Sequence, residues 1–450
     1  MPTFIFNTVL SWFLRNNAIV LKHILHFLMR FQTSRELISV SKNIKFLQWF
    51  IPFLREVYQL SYITGYTRDI VIGENSVKYF NNLISHLRIN SDIPRALVSS
   101  NESDIKFLGE IFTNNRFQYV VSKEYEDYIT WHLINRIEIE YFAANLNMVV
   151  TVGNYQTHNI GKAVRSQIGT NKPLLTFEIW NHINKPLPIQ VAIPTSLCDG
   201  SEFVKTTTVY IQKRQATLLD KNIQINHIIK DTKFIQMQDK KDLVRDILSI
   251  FNNSFECFLS RTDDLITQAF ALDSMTICLN NLNSWIYNNE FDYEQLNQAS
   301  MMSGMAINHT QFGIINALCV AIRKVYNLPI NNIKPIVLMS ILKFQFNNPT
   351  IFTTLVKCAK GIGYNCENDE QTVILFLNEI ISFYKRLNIQ PKIILPPDVS
   401  FSRSSVKKIL KYTLYDYPTL FSNIQIDKKN IKKIIISIFT NDNFEIKKIG

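Results

Sequence analysis

The chain has 450 residues, a formal net charge of +11 and only 12 glycines. Its length predicts two or three domains, and its charge admits nucleic acid or an anionic membrane surface as a partner. No recognition motif accompanies the scattered positive charge, so nucleic-acid binding is not expected. The glycine content is roughly a third of the usual ~7%, which leaves few positions where the backbone can closely approach a phosphate.

The cysteines and histidines show no metal-ligand spacing. The sequence contains no CxxC pair, no HExxH motif and no HxxxH pair, which are patterns that hold zinc in proteins. Scattered cysteines are typical of a reducing compartment, and we expect most of the thiols to be buried and inert. The six cysteines are Cys198, Cys257, Cys278, Cys319, Cys358 and Cys366.

Residues 1–65 are predicted to form an apolar, basic helical arm. Residues 1–60 contain seven Lys/Arg and two Glu, a local charge of +5, and no run of the ~18 uncharged apolar residues that a spanning helix needs. Two interpretations are about equally supported. In the first, the arm packs on the body of the protein or on the second subunit of a homodimer. In the second, it lies on an anionic membrane surface. We therefore expect a cytoplasmic protein, either free or peripheral to a membrane. The lack of acidic residues before Glu36 also resembles an organelle presequence, which is the alternative for localisation.

Residues 66–235 are predicted to form an α/β domain, because short β-branched segments alternate there with amphipathic ones. This alternation favours a parallel sheet with helices on both faces. The predicted strands are 68–73, 94–100, 117–122, 148–153, 188–195 and 206–213. The predicted helices are 77–87, 105–112 and 125–145.

Residues 236–450 are predicted to form an all-helical domain. Strand signals stop near residue 236, and apolar residues then recur at helical spacing, for example over 265–282 and 373–387. The predicted order is thus an N-terminal arm, an α/β domain and a helical domain.

One turn in the α/β domain has the position of a nucleotide-binding loop. The segment VVTVGNYQTHNIGKAV, residues 149–164, is predicted to be a strand, a turn and the start of a helix, which is where such sheets bind a dinucleotide pyrophosphate. A single glycine, Gly153, precedes Asn154, Tyr155 and Gln156, whose side chains would obstruct a phosphate. The strand–turn–helix architecture therefore favours nucleotide binding, whereas the side chains that follow Gly153 disfavour it.

Four segments in order resemble the iron-containing (group III) alcohol dehydrogenases. IPTSLCDGSEF (193–203) is similar to the family's PTTAGTGSE loop, and ASMMSGMAINHTQFGIINALCVAI (299–322) to its segment containing HAxAH. RLNIQPKI (386–393) and YDYPTLFSNIQIDKKNIKKIIISIF (415–439) resemble later elements of the family. The resemblance implies a dinucleotide-binding α/β domain followed by a helical metal domain, an architecture of the dehydroquinate synthase type.

The resemblance also places the family's metal ligands, but none of the corresponding residues is a metal ligand of the required kind. A divalent ion needs converging anionic or imidazole groups, and serine, asparagine and isoleucine supply neither. Asp246 lies near the first position and His309 near the third, but neither restores a set of ligands. The four degenerate metal positions are Ser249, Asn253, Asn316 and Ile330.

The cofactor contacts implied by the resemblance are degenerate as well. Of the family's glycine-rich loop only Gly153 is kept, and Asn159 stands at its acidic position. The degenerate cofactor-binding set is Gly153, Gln156, Lys162, Thr195, Ser196, Gly200 and Ser201.

The sequence therefore predicts a family member with no catalytic residue, no metal and no cofactor. It would act as a scaffold or regulatory binding protein for an unidentified protein partner. The alternative is a metal-independent, NAD(P)-linked oxidoreductase acting on an alcohol or carbonyl compound. The loop 194–202 supports this alternative, since in the family such a loop contacts the nicotinamide half of the cofactor.

Overall fold

The computed structural model divides into two compact units. The first holds residues 69–243 with Asp292–Gly304, and the second holds residues 244–291 and 305–440. The predicted N-terminal arm, residues 1–65, lies outside the described residues. The described residues are 69–87, 94–113, 117–124, 129–170, 183, 185–211, 214–260, 265–310, 312–415 and 427–440.

A six-stranded parallel sheet forms the first unit, which confirms the predicted α/β class. The strands are β1 (Asp69–Gly73), β2 (Arg95–Asn101), β3 (Gln118–Glu124), β4 (Met148–Gly153), β5 (Ile189–Pro194), β6 (Thr206–Ile211), β7 (Arg214–Leu219) and β8 (His227–Asp231). The order in the sheet is β1-β8-β5-β4-β2-β3, with every pairing parallel. Strands β6 and β7 form a separate antiparallel pair.

Helices accompany the sheet, and they are the regular secondary structure of the described residues of the second unit. Those of the first unit are α1 (Tyr79–His86), α2 (Leu108–Ile111), α3 (Trp131–Ala143), α4 (Tyr155–Thr170) and α5 (Thr232–Gln236). Two helices contribute residues to both units, α6 (Lys240–Phe258) and α8 (Tyr293–Thr310). The second unit adds α7 (Leu265–Asn288), α9 (Ile314–Tyr326), α10 (Ile330–Gln345), α11 (Pro349–Ile362), α12 (Asp369–Arg386), α13 (Arg403–Tyr415) and α14 (Lys428–Thr440).

The sheet has an apolar layer on each face because successive side chains of a strand point to opposite sides. Val149 of β4 packs with Ile137 and Ile160 from α3 and α4. Its neighbour Val150 packs on the other face, in a cluster that includes Phe80 of α1. Strands buried on both faces are nearly continuous apolar runs, which is how the sequence reveals them.

Two strands were missed from the sequence, β7 and β8. Strand β8 lies inside the sheet, between β1 and β5. Its sequence HIIKD ends in Lys230 and Asp231, both completely buried, and a strand with so few apolar residues gives a weak pattern. The predicted helix 125–145 begins at Trp131 in the structure, where the Thr130 hydroxyl caps it by accepting a hydrogen bond from the amide of Leu133.

Five of the six cysteines are buried, as the sequence predicted, and Cys366 is half-buried. Burial raises the pKa of the Cys257 thiol to about 12, so this thiol stays protonated at neutral pH. Among the described residues no single helix is long and apolar enough to cross a membrane, and only α8 and α9 taken together meet that length and composition.

Gly161 offers a test of how closely α4 packs on the sheet. A Cβ atom at this position would lie 2.5 Å from Nε2 of Gln190 and against the methyl group of Thr151. We expect Gly161→Ala to lower the free energy of unfolding by about 1–3 kcal/mol, because the helix would have to move away from the sheet. Chemical denaturation measures the change.

Gly109 provides the matched control, since it also lies in a helix and a Cβ there would meet nothing within 4 Å. Gly109→Ala should be neutral or stabilising by up to about 1 kcal/mol. Equal effects of the two substitutions would contradict the close packing of α4.

Candidate functional site

The first candidate site, in the first unit, is the turn between β4 and α4. Asn154 caps the helix: its side-chain Oδ1 accepts hydrogen bonds from the backbone amides of Gln156 (2.9 Å) and Thr157 (3.4 Å). These N-terminal amides are the donors that would hold a pyrophosphate in a dinucleotide-binding fold. A side chain of the protein therefore already occupies them.

Gly153 is retained for its backbone, and the space beside it is filled. Its φ of +155° is a conformation that other residues rarely adopt, and a Cβ there would lie 2.6 Å from Oγ1 of Thr157. In a phosphate-binding loop such a glycine leaves room for the ligand. With Thr157 beside Gly153 and Asn154 on the amides, this turn does not fit a dinucleotide pyrophosphate.

Lys162 is buried one turn further along α4. Its Nζ donates to Oδ1 of Asn159 (3.1 Å) and to the carbonyl oxygens of Ser201 (2.6 Å), Val204 (2.7 Å) and Thr206 (3.3 Å). Burial is the main cause that lowers the pKa of Lys162, to about 7, and the nearby Glu202 carboxylate acts in the opposite direction. The side chain thus joins α4 to the segment that follows β5.

The loop 194–202 lies beside that turn. The amide of Thr195 donates to the carbonyl oxygen of Gly153 over 3.0 Å. Gly200 has a φ of +86°, and a Cβ there would lie 2.5 Å from the carbonyl oxygen of Ser300 in α8. Ser196 Oγ lies 3.5 Å from Sγ of Cys198. The predicted cofactor positions Thr195, Ser196, Gly200 and Ser201 therefore belong to one packed loop.

A buried ion pair that sequence reasoning missed holds this loop in place. Lys230 Nζ lies 2.5 Å from Oε1 of Glu202, and both side chains are completely buried. The same ammonium group donates to the carbonyl oxygen of Leu197 (2.9 Å) and to Oγ of Ser300 (3.0 Å). The two isoleucines directly before Lys230 were the available signal, since a lysine in a buried segment needs a partner.

His158 completes this polar interior. Its ring is completely buried on α4, and Nδ1 lies 3.0 Å from Oγ1 of Thr151. Burial, followed by the positive charges of Lys230 and Lys162, lowers the pKa of His158 to about 3. The imidazole is therefore neutral at physiological pH.

A second candidate site, in the second unit, is the set of four positions that the resemblance assigns to a metal. Ser249 and Asn253 are buried on α6, Asn316 lies in the first turn of α9, and Ile330 begins α10. His309 is also buried, near the end of α8. Within the described parts of the chain, no group of three or more His, Cys, Asp and Glu side chains could hold a metal ion.

A lysine that the sequence did not single out contacts this set. Lys334 Nζ donates to Oδ1 of Asn253 and lies 3.6 Å from Oε2 of Glu256. The other carboxylate oxygen of Glu256 accepts from the amides of Gly313 (2.9 Å) and Asn316 (3.0 Å). An ammonium group, one carboxylate and neutral side chains do not form the converging set of anionic or imidazole donors that a divalent cation needs.

Comparison with known proteins relates the helical part of the chain to one family. Residues 246–439 match the family model described as "Fe-containing alcohol dehydrogenase family, C-terminal". The chain is 21% identical over 188 residues to the NAD-dependent methanol dehydrogenase of Bacillus methanolicus, a stretch covering 41% of this chain and 49% of that protein. The matched stretch therefore spans about half the length of this relative.

Solved structures show the same fold over most of the chain. A 1,3-propanediol oxidoreductase superposes with a TM-score of 0.75 at 14% identity, covering 84% of this chain and 100% of the other. A sulfoacetaldehyde reductase from Bifidobacterium kashiwanohense, solved in complex with NAD+, superposes with a TM-score of 0.70 at 12% identity, covering 85% and 99%. At these identities the likeness establishes the architecture.

The neutral, buried His158 predicts a pH dependence of stability. The pKa of His158 is about 3 in the folded protein, against an ordinary value of 6.5 for an unburied histidine. Between these two pH values the unfolded chain therefore binds more protons than the folded protein. Stability is therefore lost as the pH falls from about 6.5 towards 3, by up to about 1.4 kcal/mol per pH unit from this group. We expect His158→Gln to flatten this loss, as measured by urea denaturation across the range.

The exposed His86 supplies the control. His86→Gln should leave the slope of stability against pH as in the unmodified protein. If stability depends on pH in the same way in the His158→Gln variant and in the unmodified protein, the imidazole of His158 is protonated inside the folded protein and the prediction is wrong.

Proposed function

We propose that this chain, which belongs to the Fe-containing alcohol dehydrogenase family, is a non-catalytic scaffold or regulatory binding protein. The observation that supports this most strongly is the residue set at the metal positions. Ser249, Asn253, Asn316 and Ile330 offer no carboxylate and no imidazole, and an ammonium group contacts one of them. Without a metal there is no Lewis acid to polarise an alcohol or carbonyl oxygen during hydride transfer.

The turn after β4 supports the same proposal for the nicotinamide cofactor. A pyrophosphate could reach the amides of Gln156 and Thr157 only by displacing the Asn154 side chain. Losing such a cap costs about 1 kcal/mol in helix stability, and Thr157 would still fill the space beside Gly153. We therefore propose that neither NAD nor NADP is a cofactor of this protein.

The alternative is a metal-independent, NAD(P)-linked oxidoreductase. The loop 194–202 packs around the buried Lys230–Glu202 pair next to the turn. In our proposal this packing serves the fold, since Lys230 and Ser300 join the loop to β8 and α8. A cofactor titration distinguishes the two functions.

Purified protein should carry no stoichiometric iron or zinc and should show no saturable binding of NADH or NADPH at millimolar concentration. Elemental analysis and cofactor fluorescence measure the two quantities on the same sample, after reconstitution with Fe²⁺ or Zn²⁺ under reducing conditions. A ligand present at 100 times its dissociation constant adds ~2.7 kcal/mol of stability, so a thermal shift provides an independent readout.

The NAD-dependent methanol dehydrogenase of Bacillus methanolicus, treated in the same way, serves as the positive control for the cofactor assay. Metal in a one-to-one ratio would contradict the proposal. Tight cofactor binding without metal would favour the metal-independent oxidoreductase instead.

We propose that the N-terminal arm supplies the docking function of this scaffold, through an anionic membrane surface. The segment 1–60 combines many large apolar side chains with its local charge of +5. Basic residues near an anionic membrane add ~1 kcal/mol each, whereas a salt-exposed protein contact gains much less from them. Packing on a second copy of the chain or on another protein partner is the competing arrangement.

Neutralising Arg15, Lys22 and Arg30 to Gln together should weaken binding to phosphatidylserine vesicles by roughly 100-fold, because three such charges contribute ~3 kcal/mol. Vesicle co-sedimentation of the full-length protein measures this.

The matched control makes the same charge change on the exposed face of α13, with Lys407, Lys408 and Lys411 replaced by Gln. It should bind vesicles nearly as well as the unmodified protein. Equal losses in both variants would point to non-specific charge attraction, and no loss in either would favour a protein partner.

A further inference from the structure

Lys334 is a lysine in the interior of the second unit, with only 2% of its side chain exposed. It projects from α10 and reaches groups on two other segments. Its Nζ donates to Oδ1 of Asn253 and lies 3.6 Å from Oε2 of Glu256, both on α6. It also lies 4.8 Å from the centre of the Phe312 ring, just before α9, within the range of a cation–π contact.

The surroundings of this ammonium group include the metal positions. Asn253, which binds Lys334, is the second of the four positions, and Ser249 precedes it by one helical turn on α6. Glu256 binds the backbone amide of Asn316, the third position. Ile330, the fourth, lies one turn before Lys334 on α10. A single cation thus lies among residues from the three helices that would carry the metal ligands.

Charge balance explains why such a cation can be buried. An isolated ammonium group is costly in an apolar interior, and it becomes tolerable when a carboxylate and hydrogen-bond acceptors surround it. Glu256 is the matching anion, and its own second interaction is with the amides at the N-terminus of α9, where negative charge is favoured. Lys334, Glu256 and the α9 N-terminus therefore form one balanced chain of charges.

A divalent ion and this ammonium group are mutually exclusive. Two positive charges a few ångströms apart repel each other strongly in a poorly polar interior. Restoring metal ligands around Lys334 would therefore still leave a positive charge where the ion has to bind.

We propose that the ammonium group of Lys334 is a built-in replacement for the metal ion of the family. It supplies the positive charge that joins α6, α9 and α10, and it prevents a divalent cation from binding among them. This inference rests on the proposed function for the absence of a metal, and it adds the residue that took over the structural role.

The direct test rebuilds the ligand set in the full-length chain. One variant carries Ser249→Asp, Asn253→His, Asn316→His and Ile330→His with Lys334 unchanged, and a second adds Lys334→Ala. Co²⁺ binding is followed by visible absorption and by elemental analysis, with circular dichroism confirming helical content. We expect the five-substitution variant to bind Co²⁺ at least roughly 100-fold more tightly than the four-substitution variant. Equal affinities would overturn the proposal.

A double-mutant cycle tests the structural role without rebuilding the site. Lys334→Met should lower Tm by roughly 10 °C, because it leaves the Glu256 carboxylate buried without its cation. Adding Glu256→Gln to Lys334→Met should cost less than the sum of the two single changes, since the second substitution removes the stranded charge.

Lys357→Met, at an exposed lysine on α11 of the same unit, is the matched control and should change Tm little. A Lys334→Met variant as stable as this control, with additive effects in the cycle, would overturn the structural role. Metal bound to the unmodified protein would instead contradict the proposed function. Failure of the structural role of Lys334 and failure of the proposed function are therefore distinguishable.

Discussion

A positive charge can be buried in a protein only where oxygen atoms replace the water it loses, and much of this structure depends on that requirement. Lys162, Lys230 and Lys334 are all buried, and each contacts at least two oxygen atoms of the protein. Arg165 is buried as well and binds backbone carbonyl oxygens such as that of Asn222. Lys162, Lys230 and Arg165 each donate to a backbone carbonyl oxygen outside the α-helices and strands, whereas Lys334 contacts side chains of α6.

In the first unit this requirement is met around the segment that follows β5. Lys162 and Lys230 bind oxygens of the segment after β5 from two sides, α4 and β8. The protein's own side chains thereby hold the loop 194–202 in place. An intact loop of this shape consequently says little about activity, because the interactions that position it come from the protein itself.

The architecture was predictable because it depends on patterns that are local in sequence. Strands buried on both faces, such as β4, are almost wholly apolar, and the helices repeat their apolar residues at the helical period. Strand β8 escaped because two of its five residues are buried charges. The sequence predicts that the Asn154 side chain obstructs a phosphate sterically. Its hydrogen bonds to the helix amides depend on three-dimensional geometry that the sequence pattern does not contain. Lys334 resembles any surface lysine in sequence, since its partners on α6 are about 80 positions away.

The Asn154 cap has a consequence for the evolutionary history of the chain. It stabilises α4 whether or not any ligand is present, whereas a pyrophosphate stabilises the helix only when its concentration exceeds its dissociation constant. A variant of this chain that bound a pyrophosphate through these amides would have to lose the cap first and would carry a less stable helix until new contacts formed. Selection for folding alone therefore preserves the present turn.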